Sequence, residues 1–165
     1  MVALYSFLWF LLCVLLQVLV FNHLHLLGGI VLIYMVALLR MPVQINRSLQ
    51  ILIGFVCGLL VDIFSNTSGM HAFTCTLIMW MRLPLLHMFI IAEEIKTGSP
   101  KMEKLSTPVF VRYALTVISI HTVLLYLIES FTLFNFLPLL LKIVITVVLS
   151  FMFVMAIEMA TTPKK

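Results

Sequence analysis

GFVCGLLVDIFSNTSGMHAF, residues 54–73, is where glycine, a carboxylate and a polar turn interrupt the apolar sequence together. Gly54, Gly58 and Asp62 recur at intervals of four, so a helix carries them on one face. Glycines at that interval let a second backbone approach closely, the small-xxx-small device of membrane helices. The carboxylate one turn further on then points at the neighbouring helix rather than at lipid. Ser65-Asn66-Thr67-Ser68-Gly69 gathers turn-forming residues and N-cap candidates. The helix is therefore expected to stop there, with a second one starting near Met70 and His71 in its first turn. This reads as a membrane hairpin with a packed, polar outer tip.

Composition fixes the solvent around that hairpin. Of 165 residues, 64% are hydrophobic and 10% charged, and the mean hydropathy is +1.25. Soluble domains are about half apolar and about a quarter charged. A water-soluble core of this length cannot bury so much apolar surface. The apolar runs are continuous, unlike the alternating segments of about ten residues in a membrane β-barrel. The fold class is thus all-α, a polytopic membrane protein in one domain, residues 1–165. Cys13, Cys57 and Cys75 all lie in apolar runs with no CxxC or Cys/His ligand spacing, and read as small core residues. No basic stripe with interleaved aromatics indicates nucleic acid.

Six spans are predicted, at about 2–21, 26–39, 49–64, 70–90, 109–128 and 137–159. Val2 to Phe21 lacks the basic start and small-residue cleavage site of a signal peptide, and is read as the first span. Gln17 is its strongly polar member and is expected to face a partner helix. Leu26 to Leu39 is short against the roughly 20 residues a helical crossing needs, and Gly28-Gly29 loosens its start. It either crosses, beginning as early as Leu24, or is re-entrant. Pro42 ends it, and Ser48 is the expected N-cap of the third span. The fourth runs from Met70 to about Met81, where Arg82-Leu83-Pro84 kinks or ends it. Leu85 to Ala92 either completes that span or lies along the interface. Lys96 to Thr107 is a hydrophilic loop, and Thr107-Pro108 starts the fifth span. A short turn, Glu129 to Phe136, leads to the sixth.

Nine of the ten Lys and Arg residues then fall on one side: Arg40, Arg47, Arg82, Lys96, Lys101, Lys104, Arg112, Lys164 and Lys165. The positive-inside rule makes that side, and both termini, cytoplasmic. This parity requires the short second segment to cross.

Ionisable residues within spans cost roughly 2.5 to 3.5 kcal/mol each on insertion scales, so each needs a partner or a task. The topology sends Asp62, Glu129 and Lys142 to the outer ends of spans three, five and six. One lysine between two carboxylates either ties three helix ends together or serves an ion or proton relay, which would want further acids at mid-depth. His121 shares a face with Leu125 and Glu129 and is read as a neutral histidine hydrogen-bonded to a neighbouring helix. His23, His25 and His71 gather towards the outer surface at no zinc-like spacing, so no metal or other cofactor is expected. Arg112 and Glu158 are placed to pair near the inner ends of spans five and six. No nucleophile elbow, P-loop, HExxH or dinucleotide fingerprint occurs, and no enzyme is expected.

Gly54-x-x-x-Gly58-Leu59-x-x-Asp62-x-x-Ser65, followed by Gly69-Met70-His71-Ala72, resembles the signature hairpin of the rod-shape-determining membrane protein family MreD. Val111-Arg112-Tyr113-Ala114, His121 and Leu127-Ile128-Glu129-Ser130-Phe131 resemble that family as well. The resemblance implies a non-catalytic scaffold of the bacterial cell-elongation machinery, in the inner membrane. It would hold the single-span partner MreC and link MreB filaments to the wall-building glycosyltransferase and transpeptidase, with a homodimer left open. Gly54, Gly58, Asp62, Gly69 and His71 would serve helix packing and partner docking, and His121, Glu129 and Lys142 intramembrane polar pairing. The family is also similar in helix count and arrangement to the substrate-binding subunits of energy-coupling-factor transporters. The alternative expectation is therefore a vitamin-binding subunit.

Overall fold

The computed structural model describes residues 2–21, 25–26, 28–90, 99–101, 105–130 and 136–161. It contains six helices: α1 (Val2–Leu19), α2 (Tyr34–Leu39), α3 (Arg47–Ser65), α4 (Met70–Phe89), α5 (Thr107–Ser130) and α6 (Phe136–Thr161). Four of them, α3 to α6, are long and apolar enough to cross a membrane. In α1 the apolar stretch Leu8–Leu19 is shorter than that. Half of the loop 96–107, the turn 131–135, part of the polar turn 22–25 and the tail 162–165 lie outside the described residues.

The polarity of the bundle is inverted relative to a soluble protein. Gln17, Gln50, Asp62, Arg82, His121 and Glu158 are buried, while Leu19, Ile63, Phe73, Leu137 and Met152 are exposed. Water would reward the opposite arrangement, so the outer surface is built for lipid. This is a membrane-embedded helical protein.

The hairpin forms where its residues dictate. α3 ends at Ser65, and Asn66 takes the left-handed conformation (φ 54°) that commonly terminates helices. Gly69 (φ 81°) redirects the chain into α4 at Met70, in a region a side chain would disfavour. A Cβ at position 58 would meet the His71 carbonyl below van der Waals separation and lie 2.5 Å from the Ala72 Cα. One at position 54 would lie 2.5 Å from the Met79 Cγ and 3.0 Å from the Cys75 carbonyl. Both glycines are thus spent on the approach of α3 to α4.

Two boundaries differ from expectation. Asn46, not Ser48, is the N-cap of α3, and it makes no side-chain cap bond. The second segment is not a long helix. After a two-residue antiparallel pairing of His25–Leu26 with Gly29–Ile30 it yields only the six-residue α2. Of the two alternatives at Arg82-Leu83-Pro84, the helix continues: α4 runs through Pro84 to Phe89, so residues 85–89 belong to it, and 91–92 lie outside the described residues. Proline has no amide hydrogen to give the carbonyl four residues back, which is that of Trp80. The Arg47 guanidinium fills the gap, donating from Nη2 to the Trp80 carbonyl at 3.0 Å while its Cζ lies 5.6 Å from the Trp80 ring centroid.

Candidate functional site

Residues 31–41 are all buried, yet only six of them form a helix. Non-helical backbone inside a bilayer needs partners for its amides, and only protein can supply them there. Two other helices, α1 and α6, do so. The Ile30 amide donates to Thr146 Oγ1 at 3.2 Å, that of Leu32 to Ser150 Oγ at 3.0 Å, and that of Ile33 to Gln17 Oε1 at 2.7 Å. Tyr126 shares Thr146 Oγ1 at 3.0 Å. Gly29 makes the approach to α6 feasible, since a Cβ there would lie 2.8 Å from Ile145 Cγ2 and 3.1 Å from the Thr146 amide.

The far end of the segment is gripped by two arginines. Arg82, 1% exposed, donates from Nε to the Tyr113 hydroxyl at 3.1 Å and from Nη1 to Gln50 Oε1 at 3.0 Å. Its Nη2 reaches the carbonyls of Leu39, at 3.2 Å, and of Met41. Those carbonyls end α2, where the helix dipole is negative and a cation is favoured. Gln50 in turn donates to the Ile45 carbonyl at 2.7 Å. Arg40 pairs through Nε with Glu158 Oε1 at 2.6 Å, bonds Thr161 Oγ1, and places its Cζ 5.5 Å from the Trp9 ring centroid.

At the hairpin tip, Asp62 does the work of an N-cap for α4 from a different helix. Its Oδ2 accepts the Ala72 amide at 2.7 Å, and its Oδ1 accepts the His71 amide at 3.1 Å. Oδ1 also takes the Thr67 hydroxyl and lies 3.0 Å from His71 Nδ1. Gly69, the N-cap by position, offers no side chain. The close contact at Gly58 is what brings the carboxylate, one turn on, to those free amides. Inside this tip, Tyr34 of α2 bonds His121 Nε2 at 3.1 Å, its ring centroid 6.2 Å from that of His71, and Cys75 Sγ lies 3.7 Å from the same nitrogen. His121 Nδ1 and Thr122 Oγ1 are buried without a hydrogen-bond partner among the described residues.

Gly54, Gly58, Asp62, Gly69 and His71 therefore meet in one hairpin, and Gly54 and Gly58 are taken up by α4. A second protein's helix has no access to that glycine face. The outer trio does not assemble. Lys142 and Glu129 are exposed, and none of Asp62's hydrogen bonds goes to either. The N-terminal amides of α4 are nearer donors than a lysine on α6. His121 bonds Tyr34 rather than joining Glu129. Glu158 pairs with Arg40, whereas Arg112 is exposed. His23 and the side chain of His25 lie outside the described residues. Among the described residues, no group of three or more His, Cys, Asp or Glu is placed to hold a metal ion.

Sequence reasoning passed over Tyr34, Gln50, Thr146 and Ser150, and gave Arg82 and Tyr113 no part in a buried network. One signal was available: Thr146, Ser150, Val154 and Glu158 form a row at intervals of four, and they are the buried residues of α6. Comparison with protein-family models, with curated proteins and with solved structures finds no match.

Proposed function

We propose that this protein is a non-catalytic scaffold of the bacterial cell-elongation complex, of the MreD kind, in the inner membrane. In this reading both termini are cytoplasmic, and residues 28–41 make the second of six crossings. The scaffold holds an MreC-like single-span protein and so couples MreB filaments to the peptidoglycan synthases. One observation carries the reading: the centre of the bundle is filled by the chain's own residues 31–41, buried throughout. Gln17, Gln50, Arg82 and Ser150 around them bond to protein, as a platform requires. Orientation draws on Arg40, Arg47 and Arg82, which gather where α2 ends and α3 begins. Because α4 takes the glycine face, the partner helix packs on the lipid-facing side of the bundle.

The second reading, a vitamin-binding subunit of an energy-coupling-factor transporter, draws on His121 Nδ1 and Thr122 Oγ1, buried polar atoms that a small solute would satisfy. Affinity isolation from the native membrane followed by mass spectrometry separates the two. Shape-determining and wall-synthesis proteins are the expected companions. Recovery of ATPase and coupling subunits instead, with tight binding of a vitamin by the purified protein, would transfer the assignment to the transporter.

A further inference from the structure

The described buried residues of α6 are Thr146, Ser150, Val154 and Glu158, one narrow row on a helix otherwise turned to lipid. Helices in lipid gain nothing from the hydrophobic effect when they associate, so packing and interhelical hydrogen bonds hold them. Three residues of this row bond residues 30–40: Thr146 to Ile30, Ser150 to Leu32 and Glu158 to Arg40. The dependence is mutual, because the extended backbone cannot keep its place in an apolar interior without those acceptors.

We propose that α6 is a latch: its polar row holds residues 28–41 at the centre of the bundle, and releasing that row opens the centre while α3, α4 and α5 stay folded. The segment has a second conformation available. Residues 26–39 are continuous apolar sequence, and as a helix their amides would bond within the chain. Gly28 (φ 82°) and the close fit of Gly29 against α6 favour the extended form while the latch is closed. His121 Nδ1 and Thr122 Oγ1, buried without a partner among the described residues, leave the closed form short of full satisfaction and so narrow its advantage over the open one. The glycine contacts of the hairpin have no such dependence, since they run between α3 and α4. This device stands whether or not the scaffold reading holds.

Two native thiols flank the segment and report on it. Cys13 lies one turn before Gln17 on α1, Cys75 sits beside His121, and both are buried. In the full-length protein in lipid nanodiscs, Thr146→Val/Ser150→Ala is expected to speed reaction of Cys13 and Cys75 with N-ethylmaleimide at least tenfold. Helical circular dichroism should not fall below the wild-type level. Val148→Ala, on the exposed side of α6, should leave the rate unchanged. Unchanged thiol rates in the double variant, or acceleration accompanied by loss of helical signal, would overturn the latch. Hydrogen exchange of the unaltered protein tests it without mutation. The amides of Ile30, Leu32 and Ile33 should exchange at least tenfold faster than those of residues 54–62. Exchange of both sets at one common rate would sink the proposal as well.

Discussion

The α3–α4 hairpin and residues 28–41 are pressed into the same bundle interior, yet they are held by opposite means. In the hairpin, side chains are removed. Gly54 and Gly58 let two regular helices touch, and each backbone is satisfied within its helix save at the α4 start, capped by Asp62, and at the Trp80 carbonyl, bonded by Arg47. Along residues 28–41 side chains are supplied, since the backbone there is irregular and its amides are met by Gln17, Thr146 and Ser150. The first arrangement needs neighbours close in sequence, the second needs partners from the whole chain. The difference implies that the two regions fail differently: the hairpin to added volume, the segment to lost polarity.

The largest expected effect lies in the segment. Arg82→Leu leaves two buried carbonyls, Gln50 and Tyr113 without their donor. A loss of about 4 kcal/mol is expected, the range for breaking a buried polar network. Arg82→Lys should recover little, since an ammonium cannot reproduce the planar fork. Reversible unfolding in mixed micelles measures both. Near-wild-type stability in Arg82→Leu would remove the claim that polarity holds this region.

Added volume is the matching test of the hairpin. Gly58→Ala forces a methyl group against the His71 carbonyl and the Ala72 Cα, which are backbone and cannot yield. Gly54→Ala chiefly meets the Met79 side chain, which can turn away. The same unfolding assay should give a loss of about 2 to 3 kcal/mol at position 58 and about 1 kcal/mol at position 54. Equal costs would mean that α3 and α4 are not locked at Gly58.

A smaller effect concerns the carboxylate. Asp62→Asn and His71→Phe share an interaction, so their double-mutant cycle should return a coupling of about 1 kcal/mol. Pairing Asp62→Leu with Lys142→Leu should instead be additive within about 0.5 kcal/mol, because the lysine is not among the carboxylate's partners. Recovery of stability in that second double variant would restore the tie between α3 and α6.

Why one region was legible in sequence and the other was not follows from the same contrast. The hairpin's signals are local: a glycine pair at four-residue spacing, an acid one turn on, a cluster of turn residues and a left-handed glycine. Its helix ends came out at Ser65 and Met70, as the residues require. What could not be read was the partner of Asp62, since charge alone nominates a distant lysine as readily as a backbone amide. For residues 28–41 the deciding partners stand 116 to 118 positions away, at Thr146, Ser150 and Glu158. Length was misleading too. An extended residue advances about 3.3 Å against about 1.5 Å in a helix, so a stretch short as a helix reaches further partly unwound. Arg82 was counted as a charge beside a loop because its neighbours in sequence, not in space, were what could be seen.

The smallest effect tests the contrast at its boundary, where the hairpin borrows the segment's method. Pro84 strips the Trp80 carbonyl of its helical partner, and Arg47 replaces it from the start of the adjoining helix. Arg47→Ala in the wild-type chain should therefore lower stability by about 0.5 kcal/mol, modest because the guanidinium is exposed. Pro84→Ala returns an amide to the i−4 carbonyl, so in that background removing Arg47 should change almost nothing. The cycle isolates the carbonyl from the stacking of Arg47 on the Trp80 ring, which survives the proline change. An unaltered Arg47 effect in the Pro84→Ala background would assign the contribution to the ring, and α4 would then tolerate its proline without help from α3.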